Sequence, residues 1–308
     1  MDNKIRFLLF CGNVSPMAIP AESVLKQLGG TATWAEIRNH TTRRALLTAV
    51  AKGDVERIAR DVYALPGALL MQKRAAEMHG VISHQSAAAY WRMAALFEPT
   101  SIHITVPRNH RPLPRKGVTL HYADREDEKV TSPLRTVLDC AITLPFSEGL
   151  AIADSACRSV LIDTDQLQLG AAQLIGPGRL RAQQVAKHAD PRAANPFESG
   201  MRAIAIQAGI TGFEPQLVIP GSHPQKRVDL GNSELMIVFE ADSFSFHGSP
   251  EALERDCRRY DELVSLGWLV QRFTYRHVAV EQEWTRQMML SVYAQRSGKV
   301  TRTRITPG

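Results

Sequence analysis

Apolar positions between residues 18 and 66 recur with helical spacing in three short runs and then begin to alternate. "PAESVLKQLGG" predicts a helix that stops at a Gly pair, and "TWAEIRNH" predicts a second with Thr33 as its N-cap. "TTRRALLTAVAKGD" predicts a third, capped by Thr41 or Thr42 and ended by Gly53. "VERIARDVYAL" alternates as a small hairpin. Three short helices followed by a β-wing predict a winged helix-turn-helix over residues 17–68. In such folds the start of the third helix, here Thr42, Arg43 and Arg44, meets base edges, and Lys52, Arg57 and Arg60 add charge along that helix and the wing. The same charges also suit a plain solvated basic face.

Residues 69–164 mix both periods and predict a small α+β domain. "SHQSAAAYWRMA" reads as a Ser-capped helix, while "SIHITVP" and "GVTLHYA" alternate as strands around "RNHRPLPRKG". That connection gathers Arg108, His110, Arg111, Arg115 and Lys116, a set able to grip phosphates without base-specific geometry. An ordinary exposed hairpin tip would look the same. "TSPLRTVLDCAITL" opens with a Ser-Pro helix start and lines Leu134, Val137, Leu138 and Ile142 on one face. Residues 165–194 are polar-rich and broken by "GPG" at 176–178, which predicts a helical connector.

The last block, 195–295, predicts the order α-β-β-β-α-β around a small mixed sheet, an α/β sandwich. "NPFESGMRAIAIQAG" carries Asn195 as N-cap and Pro196 in the first turn. "SPEALERDCRRYDELVSLG" carries Ser249 as cap and Gly267 as stop, with Leu253, Cys257, Tyr260 and Val264 as its expected core stripe. Arg255 and Arg259 then fall on the opposite side, facing solvent or DNA phosphate. The strand "ELMIVFEAD" ends in two acids. Residues two apart share a strand face about 6.6 Å apart, so Glu240 and Asp242 point the same way. Pairing with "KRVDLG" would bring Asp229 within reach of Glu240. Clustered carboxylates repel unless a cation lies between them, and Mg²⁺ or Mn²⁺ is the hard ion that suits oxygen ligands. Asp229 and Glu240 are its expected ligands, with His247 placed to donate to a phosphate or relay a proton. Surface ion pairing with Arg255 and Arg259 is the alternative.

Composition adds limits. At 308 residues the chain is too long for one average core, which with the blocks above predicts an α/β multidomain protein. A content of 44% hydrophobic and 22% charged residues is ordinary for a soluble globular protein. Its four cysteines form no C-x-x-C pair, which argues against a disulfide framework or cysteine zinc site and predicts a reducing, cytoplasmic setting. No run approaches the roughly 20 apolar residues of a membrane span. "IRFLLF" is too short for a signal-peptide core, and residues 1–16 read as unconnected to the helical run after them, with Met17 a candidate start. A net charge of +6 favours an anionic partner, double-stranded DNA first.

The segments "NPFES", "RVDL", "VFEADSFSFH", "ERDCRRYDELVSLGW" and "VQRFTY", in this order, resemble the restriction-endonuclease-like PD-(D/E)xK superfamily, and more closely the domain family related to the very short patch repair endonuclease. The resemblance implies that Glu198, Asp229 and Glu240 form the acidic site, that His247, Arg255, Asp256 and Arg259 lie around it, and that Arg272 closes the last strand. The superfamily's lysine two residues after the Glu is Asp242 here, and the glycine that often comes next is Ser243. Glu198 also stands three residues after Asn195, the offset of a capping box. "RIARDVYALPG", "ISHQSAAAYW" and "TSPLRTVLD" resemble the AbiEi-type antitoxins, which implies operator binding and repression; their wing usually has Gly where Asp61 stands. These features support two main readings. One is a DNA-binding, metal-dependent endonuclease; the other is a transcriptional regulator or antitoxin with a non-cutting nuclease-like domain and a cognate toxin protein as partner. A scaffold that binds a toxin and no DNA is a third. Oligomeric state is not encoded in any of these features.

Overall fold

The computed structural model describes residues 19–113, 115–124, 128–242 and 250–298; His247, Ser243, the Ser249 cap and the side chain of Leu253 lie outside the described part. It is a mixed α/β protein of helices and three small sheets. Two compact units divide it. The first holds residues up to Val81 with Val106–Pro114 and Tyr122–Lys129; the second holds Ile82–Thr105, Arg115–His121 and Val130 onward.

In the first unit α1 (Ala21–Gln27), β1 (Thr31–Thr33), α2 (Trp34–Ile37) and α3 (Arg43–Lys52) precede β2 (Glu56–Ala59), β3 (Val62–Ala64) and α4 (Leu70–Glu77). The strands form an antiparallel sheet in the order β1-β3-β2. Val24, Leu25, Ile37, Leu46 and Tyr63 are fully buried together, so each short helix is held by its apolar stripe and not by propensity alone. Thr33 closes a capping box with Glu36, Thr42 accepts from the Ala45 N–H, and Gly53 ends α3 in the left-handed conformation. Asp61 has φ 57°, the region a glycine would take most easily, and its carbonyl accepts from the Trp34 N–H at 2.8 Å.

The second unit begins with β4 (Val81–Ile82, from its second residue), α5 (His84–Tyr90), and the bases of β5 (Ile102–Pro107) and β6 (Val118–Ala123), in the sheet order β4-β5-β6. Then come α6 (Pro133–Thr143), α7 (Phe146–Arg158), α8 (Thr164–Ala172) and α9 (Arg179–His188). The connector expected at 165–194 is instead part of a core: Leu167, Ala171, Ala182, Val185 and Ala186 are buried with Val137, Leu138 and Ile152. Its inward face is built mainly of alanines, so the polar residues outside dominated the pattern. A Cβ on Gly170 would come within 3.2 Å of Leu138 Cδ1, so glycine there permits the close approach of α8 to α6.

α10 (Pro196–Gln207), β7 (Glu214–Val218), β8 (Arg227–Asn232), β9 (Ile237–Asp242), α11 (Pro250–Ser265) and β10 (Leu269–Thr274) keep the predicted order, and α12 (Tyr275–Ala279) and α13 (Gln282–Ser297) extend it. The sheet order is β10-β9-β8-β7, parallel only between β10 and β9. Phe239 and Phe273 pack with Met201 and Ile204 of α10 and Met289 of α13, while Val228 and Val238 pack with Leu263 of α11 and Trp268. α10 is also anchored to α7. Arg202 pairs with the wholly buried Asp154 at 2.7 Å and donates to the His188 carbonyl at 2.6 Å. Among the described residues no helix is long and apolar enough to cross a membrane.

Three imidazoles stack beside β5 and β6. His84, with φ 50°, lies 3.4 Å from His121 between ring centroids, and His103 Nδ1 is 3.0 Å from His121 Nε2. Burial first, and then mutual repulsion, lowers His84 to about 3 and His121 to about 4, and burial lowers His103 as well. Arg135 adds to the penalty on a charged His84. The folded pKa values lie below the unfolded one, so the unfolded chain takes up protons first. Stability is therefore lost as pH falls below the unfolded value of about 6.5, with a slope of about 1.4 kcal/mol per pH unit for each proton. Urea denaturation is expected to show a less stable protein at pH 5 than at pH 7, and His121→Phe should flatten that dependence.

Candidate active site

The site begins where two strands part. β8 and β9 are in antiparallel register as far as Leu230↔Phe239. One step further Asp229 stands across from Glu240. Each carboxylate reaches the other strand's backbone: Asp229 Oδ2 accepts from the Ala241 N–H at 2.8 Å, and Glu240 Oε2 lies 3.4 Å from the Asp229 nitrogen. The acids thus occupy the place of ladder hydrogen bonds, and this answers why a hydrophobic strand ends in them. Buried backbone N–H groups need acceptors.

Glu240 is only 5% exposed. Burial raises its pKa, and the neighbouring Asp229 raises it further, against the opposing pull of Arg259. Arg259 Nη2 donates to Glu240 Oε1 at 2.8 Å and to the Arg227 carbonyl at 2.6 Å. Glu198, at the start of α10, is as buried as Glu240, and it is raised to about 7 by burial and then by Asp229. It is already engaged: its oxygens accept from the Ala194 N–H at 2.8 Å, Asn195 Nδ2 at 2.7 Å and Gln216 Nε2 at 2.9 Å. Asn195 Oδ1 in turn accepts from the Glu198 N–H at 2.9 Å.

The structure therefore brings Glu198, Asp229 and Glu240 into one electrostatic neighbourhood. Among the described residues no three His, Cys, Asp or Glu side chains converge on a metal-sized point. What remains is the Asp229–Glu240 pair. Burial and the neighbouring Asp229 penalise charge on Glu240, and a hard divalent ion that takes two protein oxygens and fills the rest of its shell with water would relieve that penalty. Asp242 is drawn aside into an ion pair with Arg272 of β10, whose guanidinium lies 4.1 Å over the Tyr260 ring.

α11 presents a different face from the one expected. Leu263 is fully buried, whereas Val264 is 60% exposed and Cys257 is exposed. Asp256, Arg259 and Tyr260 are half-buried and Arg255 is exposed. The stripe is rotated by one residue, so Arg259 turns inward to Glu240 and not outward to solvent. Leu263, one turn after Arg259 and close before the buried Trp268, is the sequence signal for that face. Gln216 escapes any reading of the sequence; it sits on β7 at φ 55°, and no pattern marks it.

The candidate nucleic-acid contacts are on the surface. Thr42, Arg43, Arg44, Arg57 and Arg60 are exposed. Arg43 lies 3.7 Å from Asp61 and stacks 4.8 Å over Trp34, a cation held by the unit's own aromatic. On the hairpin Arg108 pairs with Asp124 at 3.3 Å, and Arg111 lies 5.1 Å over Tyr122 while donating to the Arg108 and His110 carbonyls. Arg115 and Lys116 are exposed.

Both raised carboxyls hold protons in the folded chain that the unfolded chain has released. Stability is therefore lost as pH rises from the usual carboxylate value of 4.5 through about 7. Asp229→Asn removes one cause of both shifts. Carboxyl NMR titration is expected to find Glu198 and Glu240 ionising at lower pH in that variant, and thermal melts should show a weaker loss of stability toward pH 8.

Comparison with known proteins gives relatives but no family: no family model matches the chain. Two uncharacterised Mycobacterium tuberculosis proteins, Rv2248 of strain H37Rv and MT2308 of strain CDC 1551, are each 27% identical over 242 residues, covering 74% of this chain and 89% of the relative. The crystal structure of the RV2827C protein from the same species aligns over 66% of this chain and 87% of its own, at 12% identity and a TM-score of 0.31.

Proposed function

We propose that the chain is a DNA-binding protein whose C-terminal part hydrolyses DNA phosphodiesters with a divalent metal. The observation that carries this reading is the apposition of Asp229 and Glu240 on neighbouring strands, each carboxylate reaching the other strand's backbone, with Glu240 buried. In this reading the block from Asn195 is a restriction-endonuclease-like α/β sandwich. Asp229 and Glu240 would hold Mg²⁺ or Mn²⁺, which when bound polarises a phosphoryl oxygen and lowers the pKa of a water. Glu198 fixes the start of α10 beside them. Arg259 and Arg272 keep positive charge at the strand end, where a phosphate would lie.

The first unit is read as a winged helix, with α3 entering the major groove and Arg57 and Arg60 on the wing beside the backbone. Arg108, Arg111, Arg115 and Lys116 would add phosphate contacts that set affinity and not sequence. Cys140 and Cys157 are buried free thiols and Cys257 an exposed one, which suits a reducing cytoplasm.

One observation favours a second reading, the non-cutting regulator or antitoxin with a protein toxin as partner. The position of the superfamily lysine is Asp242, locked to Arg272, and Glu240 is already bound by Arg259.

A plasmid assay separates the two. With Mg²⁺ or Mn²⁺ the protein is expected to nick or linearise supercoiled DNA, and Asp229→Ala to abolish this while duplex binding in a mobility-shift assay persists. Binding without cleavage under either metal supports the regulator. Arg57→Ala with Arg60→Ala should weaken duplex binding on all sequences and reduce the log–log salt slope by about one for each phosphate no longer neutralised.

A further inference from the structure

The Asp229–Glu240 pair does not wait with bare charge. Three carboxylates, Asp229, Glu240 and Asp242, stand at the ends of β8 and β9, and two guanidinium groups answer them, Arg259 on Glu240 and Arg272 on Asp242. The two arginines differ in how they are held. Arg272 comes from the neighbouring parallel strand, in register with Glu240, and its guanidinium is stacked on Tyr260. Arg259 comes from α11 and is held near its tip by one nitrogen, Nη2, which serves both Glu240 and the Arg227 carbonyl. On α11 it neighbours the exposed Arg255 and Arg258, the latter paired with Glu254 at 2.7 Å, so a rotation of its side chain would carry the guanidinium toward Arg255 on the outer side of the helix.

We propose that Arg259 guards the carboxylate pair: its guanidinium stands in for the divalent cation, and a metal ion must displace it to take both Asp229 and Glu240. This rests on the reading above that the pair takes a divalent ion. The physical reason is charge exclusion. A guanidinium 2.8 Å from Glu240 Oε1 occupies an oxygen that the metal needs, and its charge repels an incoming dication at the same distance scale. Once released, Arg259 joins Arg255 on the side of α11 where a phosphate would be met. Phosphate oxygens and Glu240 compete for the same guanidinium, so an anionic backbone bound there would favour metal entry, and by linkage metal would favour the backbone. Arg259 is thus a regulating residue of the site, distinct from a ligand.

The test is metal uptake and not cleavage. Mn²⁺ binding to the full-length protein is measured by calorimetry for wild type, Arg259→Gln and Arg259→Lys, with circular dichroism and melting curves to establish that each is folded. Arg259→Gln keeps hydrogen-bond donors for Glu240 and removes the charge; it is expected to bind Mn²⁺ about tenfold more tightly than wild type, with a larger rise of Tm on adding Mn²⁺. Arg259→Lys keeps the charge on a shorter, less well-fitted arm and is expected to bind severalfold more tightly than wild type, which serves as the test should the glutamine variant fail to fold. Wild-type Mn²⁺ binding that is unchanged or weakened in the folded variants overturns the guard while leaving the metal reading of the site intact. No Mn²⁺ uptake in wild type or in either variant overturns both.

Discussion

The candidate site depends on one break in hydrogen bonding. Past Leu230↔Phe239 the β8–β9 ladder ends, and the Ala241 N–H is satisfied by the Asp229 carboxylate and not by a carbonyl. The two acids are therefore structural and chemical at once. An Asp229 side chain that leaves its place frees a backbone donor, and a buried donor without an acceptor costs about 1–3 kcal/mol. The same arrangement keeps the carboxylates from relaxing apart. Their repulsion is held in place by backbone bonds on both strands, and the metal reading proposed above depends on that restraint.

Glu198 is brought to this pair from a distance by a second constraint. Its helix, α10, is pinned to α7 by Arg202 and Asp154, an ion pair almost wholly out of water. Burial raises the Asp154 pKa, and Arg202, the Asp190 N–H and Ser199 oppose that rise. A pair so buried contributes little net stability compared with apolar residues of the same volume, but removal of one partner alone leaves a charge stranded. Its consequence is positional. It sets where α10 begins relative to α7, and with it the point at which Asn195 and Glu198 close their mutual cap beside Asp229. The capping of α10 and the approach of Glu198 to Asp229 are thus one geometry.

Local chemistry was legible in the chain and long-range packing was not. Thr33, Thr42, Asn195 and Gly53 cap their helices because each cap needs one side chain or one backbone conformation, both visible in a few residues. The short strand at 226–231 and the apolar run at 234–242, paired as neighbours, were enough to place Asp229 beside Glu240. α7 was missed because nearly its whole length is buried, which erases the periodicity that marks a half-exposed helix. α8 and α9 looked like a linker because their core face is small and their outer face polar. The rotation of α11 turned on whether Leu263 or Val264 faced inward, a choice made by Val228, Val238 and Trp268. These lie outside the helix, and with that choice went the location of Arg259.

Under the proposed endonuclease-like reading, the Asp242 that stands where the superfamily has lysine takes its meaning from its setting. Taken along β9 alone, it replaces a positive charge by a negative one next to two acids, which would make the strand end strongly anionic. In three dimensions the charge is supplied from other elements: Arg272, in register with Glu240 on the adjacent strand, binds Asp242, and Arg259 from α11 binds Glu240. A lysine on β9 would be fixed by the strand beside its own glutamate. Arginines from a neighbouring strand and a helix are longer and carry several donors on a planar head, so they can hold a carboxylate in one state and a phosphate in another. The positive charge at the strand end thus comes from β10 and α11, one guanidinium stacked on Tyr260 and the other held at its tip by Glu240 and the Arg227 carbonyl.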